Sequence, residues 1–430
     1  MAAVIAAVMR LTVHLREPMQ RSAFALITGS VLTSVLGFVF WALAARLYDP
    51  AAVGTATALI AAMTFLANLS TLGLRTGLIR FLPTAGSGAR ALIRRSILTC
   101  TAAAGVAAAV FVAGQPLWAP DLEMLRSSPG AALAFLLATI TWLVFVIQDA
   151  ILTGLRRATW VPIGNTAYSI LKILVLLALT GAAAWGVFVA SVVPAAATAV
   201  VVAMATNRHL KMTECQLGES GVPTLSALAR FAAGDHLAAM LWLGTITLLP
   251  LIVMAEVGPS GSAYYYLAWN IAYMFYLVSS NVGNAFIAAA ASAPDRVEEL
   301  ARRAVGSALL LVVPGVAVGL VAAPFLLQVL GADYARESTG LLRLLMLSAI
   351  PQVVLGMAAS TARIRRRTTG VVTIYAALAV LVFGGTTVAL RTVGLTGVGL
   401  VWLVTQMLMS AVLLATQMSF LWRRAAHRRT

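Results

Sequence analysis

Cysteine, histidine and acidic residues are all scarce in this chain. Its 430 residues include two cysteines, four histidines and 14 Asp plus Glu against 30 Lys plus Arg, and only 10% of residues are charged. Cys100 falls in an apolar run and Cys215 in a basic loop, so no disulfide is expected. No His, Cys or carboxylate spacing suits a metal site, and no cofactor is expected. Sustained alternation of apolar and polar residues is missing, which leaves helices rather than barrel strands to cross a bilayer. No segment is long enough for a soluble domain: the longest loops are 75–95 and 207–230 on the basic side and 115–130 on the other. Membrane-embedded sugar polymerases and glycosyltransferases typically shape their sites with large outer loops. This chain has no room for one, and it is expected not to be an enzyme.

Hydrophobic residues are abundant, at 61%. Twelve apolar runs are long enough to span: 23–45, 53–74, 96–114, 131–153, 160–182, 184–206, 231–255, 263–290, 304–329, 344–362, 370–390 and 396–421. The net charge of +16 reads as membrane topology rather than nucleic-acid binding. Of the 30 Lys and Arg, 24 lie at the two termini and in the loops after spans 2, 4, 6, 8 and 10. Only Arg46, Arg126, Arg336, Arg343 and Arg391 lie on the opposite side, and Lys172 sits inside span 5. Positive charge stays cytoplasmic. The expectation is therefore a multi-pass protein of the cell membrane with both termini inside. Its first residues put an apolar run before their charges, the reverse of a secretory signal, so span 1 is expected to act as an uncleaved anchor.

The basic punctuation repeats at an offset of 209 residues: Arg21 with Arg230, Pro50 with Pro259, Arg156 and Arg157 with Arg365 and Arg366. Arg94 and Arg95 return as Arg302 and Arg303 with a slip of one. The chain therefore reads as a cytoplasmic segment 1–22, a six-helix bundle 23–206, a linker 207–230, a second six-helix bundle 231–421 and a basic tail 422–430. Duplicated membrane proteins place substrate sites where the halves face each other.

Polar residues inside the spans are the site candidates. In span 2, Thr57, Thr64, Asn68, Thr71 and Arg75 share a face at helical spacing, and Arg80 follows. The same offset gives Tyr266, Tyr273, Leu277, Ser280 and Asn284 in span 8, with Asn270 and Asn281 beside them. Such faces line a cavity or pack helices through hydrogen bonds. Lys172 lies deep in span 5 with Asn165 two turns earlier; a charge there is functional by default, or else pairs with Asp149. Asp149 and Asp235 lie about a turn inside their spans and are ion-coupling candidates, unless they snorkel. Neither they nor Lys172 has a counterpart at the offset. His236 is expected to be inert. Trp41, Trp185 and Trp402 suit interfacial anchoring. The aromatic crowd of span 8, Tyr264 to Tyr276, suits either sugar stacking or a packing seam.

Gly37 to Gly54 (GFVFWALAARLYDPAAVG), Ser70 to Pro83 (STLGLRTGLIRFLP) and Pro324 to Pro351 (PFLLQVLGADYARESTGLLRLLMLSAIP) resemble Wzx-type polysaccharide and oligosaccharide flippases, a family of the MATE-like exporter superfamily. The resemblance implies an all-α membrane protein of two six-helix bundles around a central cavity, working by alternating access. It implies an oligosaccharide on polyprenyl pyrophosphate as cargo, moved to the outer leaflet for cell-surface polysaccharide assembly. Arg75, Arg80 and Lys172 are available for pyrophosphate; Asn68, Asn165, Tyr266, Asn270, Tyr273 and Asn284 for the cavity. Expected partners are the lipid-linked oligosaccharide, membrane lipids, a polymerase and glycosyltransferases, with no nucleic acid, and the protein is expected to be a monomer. A MATE-like small-molecule or drug exporter is the alternative, and an embedded glycosyltransferase a more distant one.

Overall fold

A computed structural model describes residues 18–214, 224–365 and 367–418. Most of the N-terminal segment, the middle of the linker with Cys215, Arg366 and the basic tail lie outside the described residues. Those described form helices and short connecting turns, with no strand among them. In chain order the main helices are α1 (Pro18–Leu47), α2 (Pro50–Leu69), α3 (Leu74–Phe81), α4 (Ala89–Ala113), α5 (Pro129–Gly154), α6 (Trp160–Ala178) and α7 (Ala183–Glu214). They continue as α8 (Leu225–Thr247), α9 (Leu249–Ser292), α10 (Val297–Leu330), α11 (Ala332–Ile364), α12 (Thr368–Val393) and α13 (Leu395–Thr416). Three of them, α1, α2 and α5, open on a proline, whose fixed φ and missing N–H suit the first helical turn.

Ten stretches among the described residues are long and apolar enough to cross a membrane. One of them, Ala232–Ser292, has 61 residues, roughly 90 Å of helix, about three bilayer thicknesses. It is divided inside α9 at Gly258, whose φ of 82° a side chain would disfavour, immediately before Pro259. With that division and with α1, the described helices are consistent with the twelve expected spans. The fold is all-α and polytopic.

Residues paired by the 209-residue offset fall at comparable helix ends. Pro50 opens α2, and Pro259 opens the second part of α9. Arg156 follows the end of α5, and Arg365 follows the end of α11. The two proline-led starts also touch: a Cβ on Gly54 would stand 1.7 Å from the Pro259 carbonyl oxygen. Only a residue without a side chain permits that approach.

The chain divides into two compact units. The first holds the described residues up to Ala44, Leu66–Phe111 and Gly130–Ala232; the second holds Ala45–Phe65, Val112–Pro129 and the chain from Ala233. In the first, α4 buries Leu92, Ser96, Cys100, Ala104 and Ala108 at four-residue spacing, and Leu92, Cys100 and Ala104 pack in one cluster with Leu143, Ile147 and Ile151 of α5. Its other face leaves Leu98, Val106 and Val110 exposed, as a lipid-facing stripe requires.

In the second unit α11 is packed along its whole length, and polar pairs tie it to its neighbours. Gln406 of α13 donates to Gln352 at 2.7 Å, and Ser410 donates to the Pro351 carbonyl at 2.7 Å. The Trp402 indole N–H donates to the Tyr276 hydroxyl at 2.5 Å, which in turn meets the Ser348 hydroxyl. In hydrocarbon, such groups must satisfy one another. Trp402 is therefore no interfacial anchor; it is fully buried. Trp41 is buried too, and Trp185 is half-buried against Phe188.

Candidate functional site: a caged lysine in the first unit

Span 2 does not run through Arg75. The helix α2 stops at Leu69, and a turn follows in which Leu72 and Gly73 adopt positive φ of 50° and 75°. Ser70 and Thr71 hydroxyls donate to the Leu66 and Asn68 carbonyls, closing the helix end. Helical spacing across that turn loses its meaning, so Arg75 is not on the face of Thr57 and Asn68. Thr57 and Thr71 are buried, each bonded to a carbonyl three residues back, which is packing and not cavity lining. Arg75 instead begins the short α3, exposed, while Leu74 and Leu78 of that helix point into the core. Arg80 is exposed near its end, with its guanidinium 5.8 Å from the Phe81 ring. Asn68 is half-buried on α2.

The polar face of α6 carries Asn165, Tyr168, Ser169 and Lys172, while Ile163, Leu174 and Leu177 are exposed on its outside. Lys172 is half-buried, and its ammonium sits 3.7 Å from the centroid of Phe40, 5.7 Å from Trp41 and 5.6 Å from Tyr168. Trp142 and Phe145 of α5 close the aromatic wall behind Tyr168, with centroids 6.0 and 4.8 Å away. The Lys172–Asp149 pair does not form: among the described residues no carboxylate lies within salt-bridge distance of Lys172. Asp149, half-buried on α5, accepts from the Asn165 amide at 3.4 Å and lies within electrostatic reach of Arg75. One side of the unit thus gathers Arg75, Asp149 and Asn165, with Lys172 two turns further along α6.

Magnitudes say what Lys172 lacks. A cation over aromatic faces gains about 0.5–2 kcal/mol. A lysine at mid-membrane costs at least about 2.5–3.5 kcal/mol. The rings orient the ammonium without offsetting that cost, so an anion has a favourable place beside it. Lys172 stands out in the sequence but its cage does not: Tyr168 lies one turn before it, whereas Phe40 and Trp41 come from a distant helix.

The other candidates lie in the second unit. Tyr266 and Tyr273 are half-buried, the Asn270 amide donates to the Tyr266 carbonyl at 2.8 Å, and Asn284 is exposed. Much of the aromatic crowd is a packing seam: Tyr265, Trp269 and Tyr276 are buried, with Trp269 edge-on to Trp402 at 4.8 Å. Tyr273 stands at its margin, 6.0 Å from Trp269. Asp235 is paired with Arg363 at 3.0 Å. A pair the sequence did not suggest joins Glu256 to Arg391 through two bonds of 2.9 and 2.8 Å. Among the described residues no three His, Cys, Asp or Glu gather where a metal could bind.

Residues 19–226 match the protein family described as "Polysaccharide biosynthesis protein". Over those residues the chain is similar to that family. No curated protein matches it. Among solved structures it is similar to one described as "Inward-facing conformation of a multidrug resistance MATE family transporter of the MOP superfamily", with a TM-score of 0.70, 15% identity, and 90% of this chain and 94% of that one covered. The outward-facing conformation of a MATE transporter of the same superfamily gives 0.62 at 16% identity, covering 94% and 97%. A MOP superfamily transporter from Pyrococcus furiosus, described by a binding pocket of reverse polarity, gives 0.56 at 14%, covering 93% and 94%. The fold of the chain is therefore MATE-like, and the chain is a multi-pass membrane protein.

Proposed function

We propose that this protein moves a polyprenyl-pyrophosphate-linked oligosaccharide from the cytoplasmic to the outer leaflet of the cell membrane, for assembly of a surface polysaccharide. The observation that carries this reading is the Lys172 ammonium, held among Phe40, Trp41 and Tyr168 with no carboxylate within salt-bridge distance among the described residues. Diphosphate supplies the missing charge, and Arg75, with Arg80 at the other end of α3, adds a second cationic contact. Tyr266, Asn270, Tyr273 and Asn284 offer rings and amides to sugars, and Asn68 and Asn165 offer amides in the first unit. The lipid tail stays in the bilayer. Two six-helix bundles, 23–206 and 231–421, rock about the cargo, both termini are cytoplasmic, and the protein works as a monomer beside a polymerase and glycosyltransferases. Asp149 is the coupling residue we favour over Asp235.

The test is the full chain reconstituted in vesicles, with a fluorescent lipid-linked oligosaccharide loaded in one leaflet. Its appearance in the other leaflet, lost in Lys172→Ala, supports the reading. Efflux of cationic dyes with no movement of the glycolipid would replace it with the drug-exporter alternative, which the multidrug transporters of the same fold keep in view.

A further inference from the structure

The first unit contains a second basic feature, apart from the caged lysine. Helices α4, α5 and α7 enclose a cavity of about 430 Å³. Its walls are apolar, built from residues such as Ile97, Val144, Ile147 and Val202, while Arg90, Arg94, Gln148 and Thr206 supply its polar atoms. A smaller cavity of about 270 Å³ shares Thr206 and adds Arg157 and Arg208. Among the described residues lining either one there is no carboxylate.

Three observations select a ligand. Arg90 and Arg94 are one turn apart on α4, where like charges repel unless an anion bridges them. The Gln148 Oε1 and Thr206 Oγ1 atoms are buried without a hydrogen-bond partner. The threonine hydroxyl can donate to an anion, but the amide oxygen needs a donor, which a phosphate diester lacks and a hydroxyl-bearing headgroup has. Leu98, 62% exposed on the outer stripe of α4, lies at the cavity's edge, so the space opens on the surface that meets lipid chains. Basic pockets between membrane helices are suited to anionic headgroups.

We propose that this cavity is a binding site for an anionic phospholipid of the phosphatidylglycerol type. Its phosphodiester lies between Arg90 and Arg94 and accepts from Thr206, its glycerol hydroxyls donate to Gln148, and its acyl chains run out past Leu98. The bound lipid fills the wedge between α4, α5 and α7 and holds the unit together. This site is independent of the cargo reading, and its test needs no transport.

The full chain, purified in detergent, is exchanged with phosphatidylglycerol, phosphatidylcholine, a polyprenyl phosphate or inorganic phosphate, and retained lipid is read by native mass spectrometry. Expected is one phosphatidylglycerol per chain, held about tenfold more tightly than phosphatidylcholine. Arg90→Gln with Arg94→Gln should erase the preference. Ala203→Trp, at an exposed position lining the cavity, should block binding while every charge is kept. Equal retention of the two phospholipids by the unmodified protein overturns the proposal, a result that does not depend on how any variant folds. Competition by inorganic phosphate at equal affinity would make the site one for a free anion. Tighter retention of the polyprenyl phosphate would assign the cavity to cargo. Undiminished phosphatidylglycerol binding in Ala203→Trp would reduce it to a general surface charge effect.

Discussion

The Lys172 ammonium lies 3.7 Å from the centroid of the Phe40 ring, on a helix whose Asn165 instead reaches Asp149 on α5. Lys172 and Asp149 are thus separately provided for: the carboxylate by the Asn165 amide and the nearby Arg75, the ammonium by aromatic faces. Among the described residues no carboxylate lies within salt-bridge distance of this lysine, which leaves room for an anion beside it.

Lys172→Ala should lower glycolipid translocation about tenfold or more, since a hydrogen bond to a charged group is worth about 1.5–3 kcal/mol. Protein abundance should be unchanged. Because Lys172 and Asp149 are not paired, adding Asp149→Ala should not restore activity. Recovery in the double variant, measured in the vesicle assay, would mean that the lysine serves only to neutralise the aspartate.

Tyr276→Phe removes the hydroxyl that accepts from Trp402 and meets Ser348. It strands a buried indole N–H, at a cost of about 1–3 kcal/mol. The expected result is a lower unfolding temperature in detergent with normal transport per folded molecule. Loss of transport at unchanged stability would instead place Tyr276 in the pathway.

These two sites differ in how far the sequence revealed them. The spans were legible because lipid demands about twenty apolar residues in a row, and Lys172 stood out against that background. The face assigned to span 2 failed because periodicity assumes a continuous helix, and the turn with Leu72 and Gly73 at positive φ resets the angle before Arg75. The burial of Trp402 is not legible because a tryptophan in an apolar run looks the same whether its N–H meets an interface or a buried tyrosine. The cage around Lys172 joins α1 to α6, and no local pattern records such a meeting.

Gly54→Ala should destabilise the protein strongly, because the new methyl would fall 1.7 Å from the Pro259 carbonyl oxygen. Gly37→Ala, with nothing within 4 Å of its Cβ, should be neutral or gain about 0.5–1 kcal/mol of helix propensity. Detergent unfolding of both variants measures the contrast. Equal behaviour would contradict the contact between the duplicated helix starts.

Cysteines at Ser127 and Ser87, both exposed and in connections on opposite sides by charge, should label differently in intact cells. A membrane-impermeant maleimide should modify Ser127→Cys and spare Ser87→Cys. The reverse pattern would invert the orientation and place both termini outside.

The two aspartates offered for ion coupling should separate cleanly. Asp235 is paired with Arg363, and both side chains are substantially exposed, at 50% and 35%. Pairs of that kind contribute about 0.2–1 kcal/mol, so Asp235→Asn should change transport less than about twofold. Asp149 is half-buried, accepts from the Asn165 amide and lies within electrostatic reach of Arg75. Asp149→Asn keeps its shape and its bond to Asn165 but cannot take up or release a proton. Transport driven by an imposed proton gradient should therefore fall about tenfold, while exchange of glycolipid without a gradient continues. If Asp149→Asn responds to the gradient like the unmodified chain and Asp235→Asn does not, coupling belongs to the second unit, and Asp149 is only a structural acceptor for Asn165.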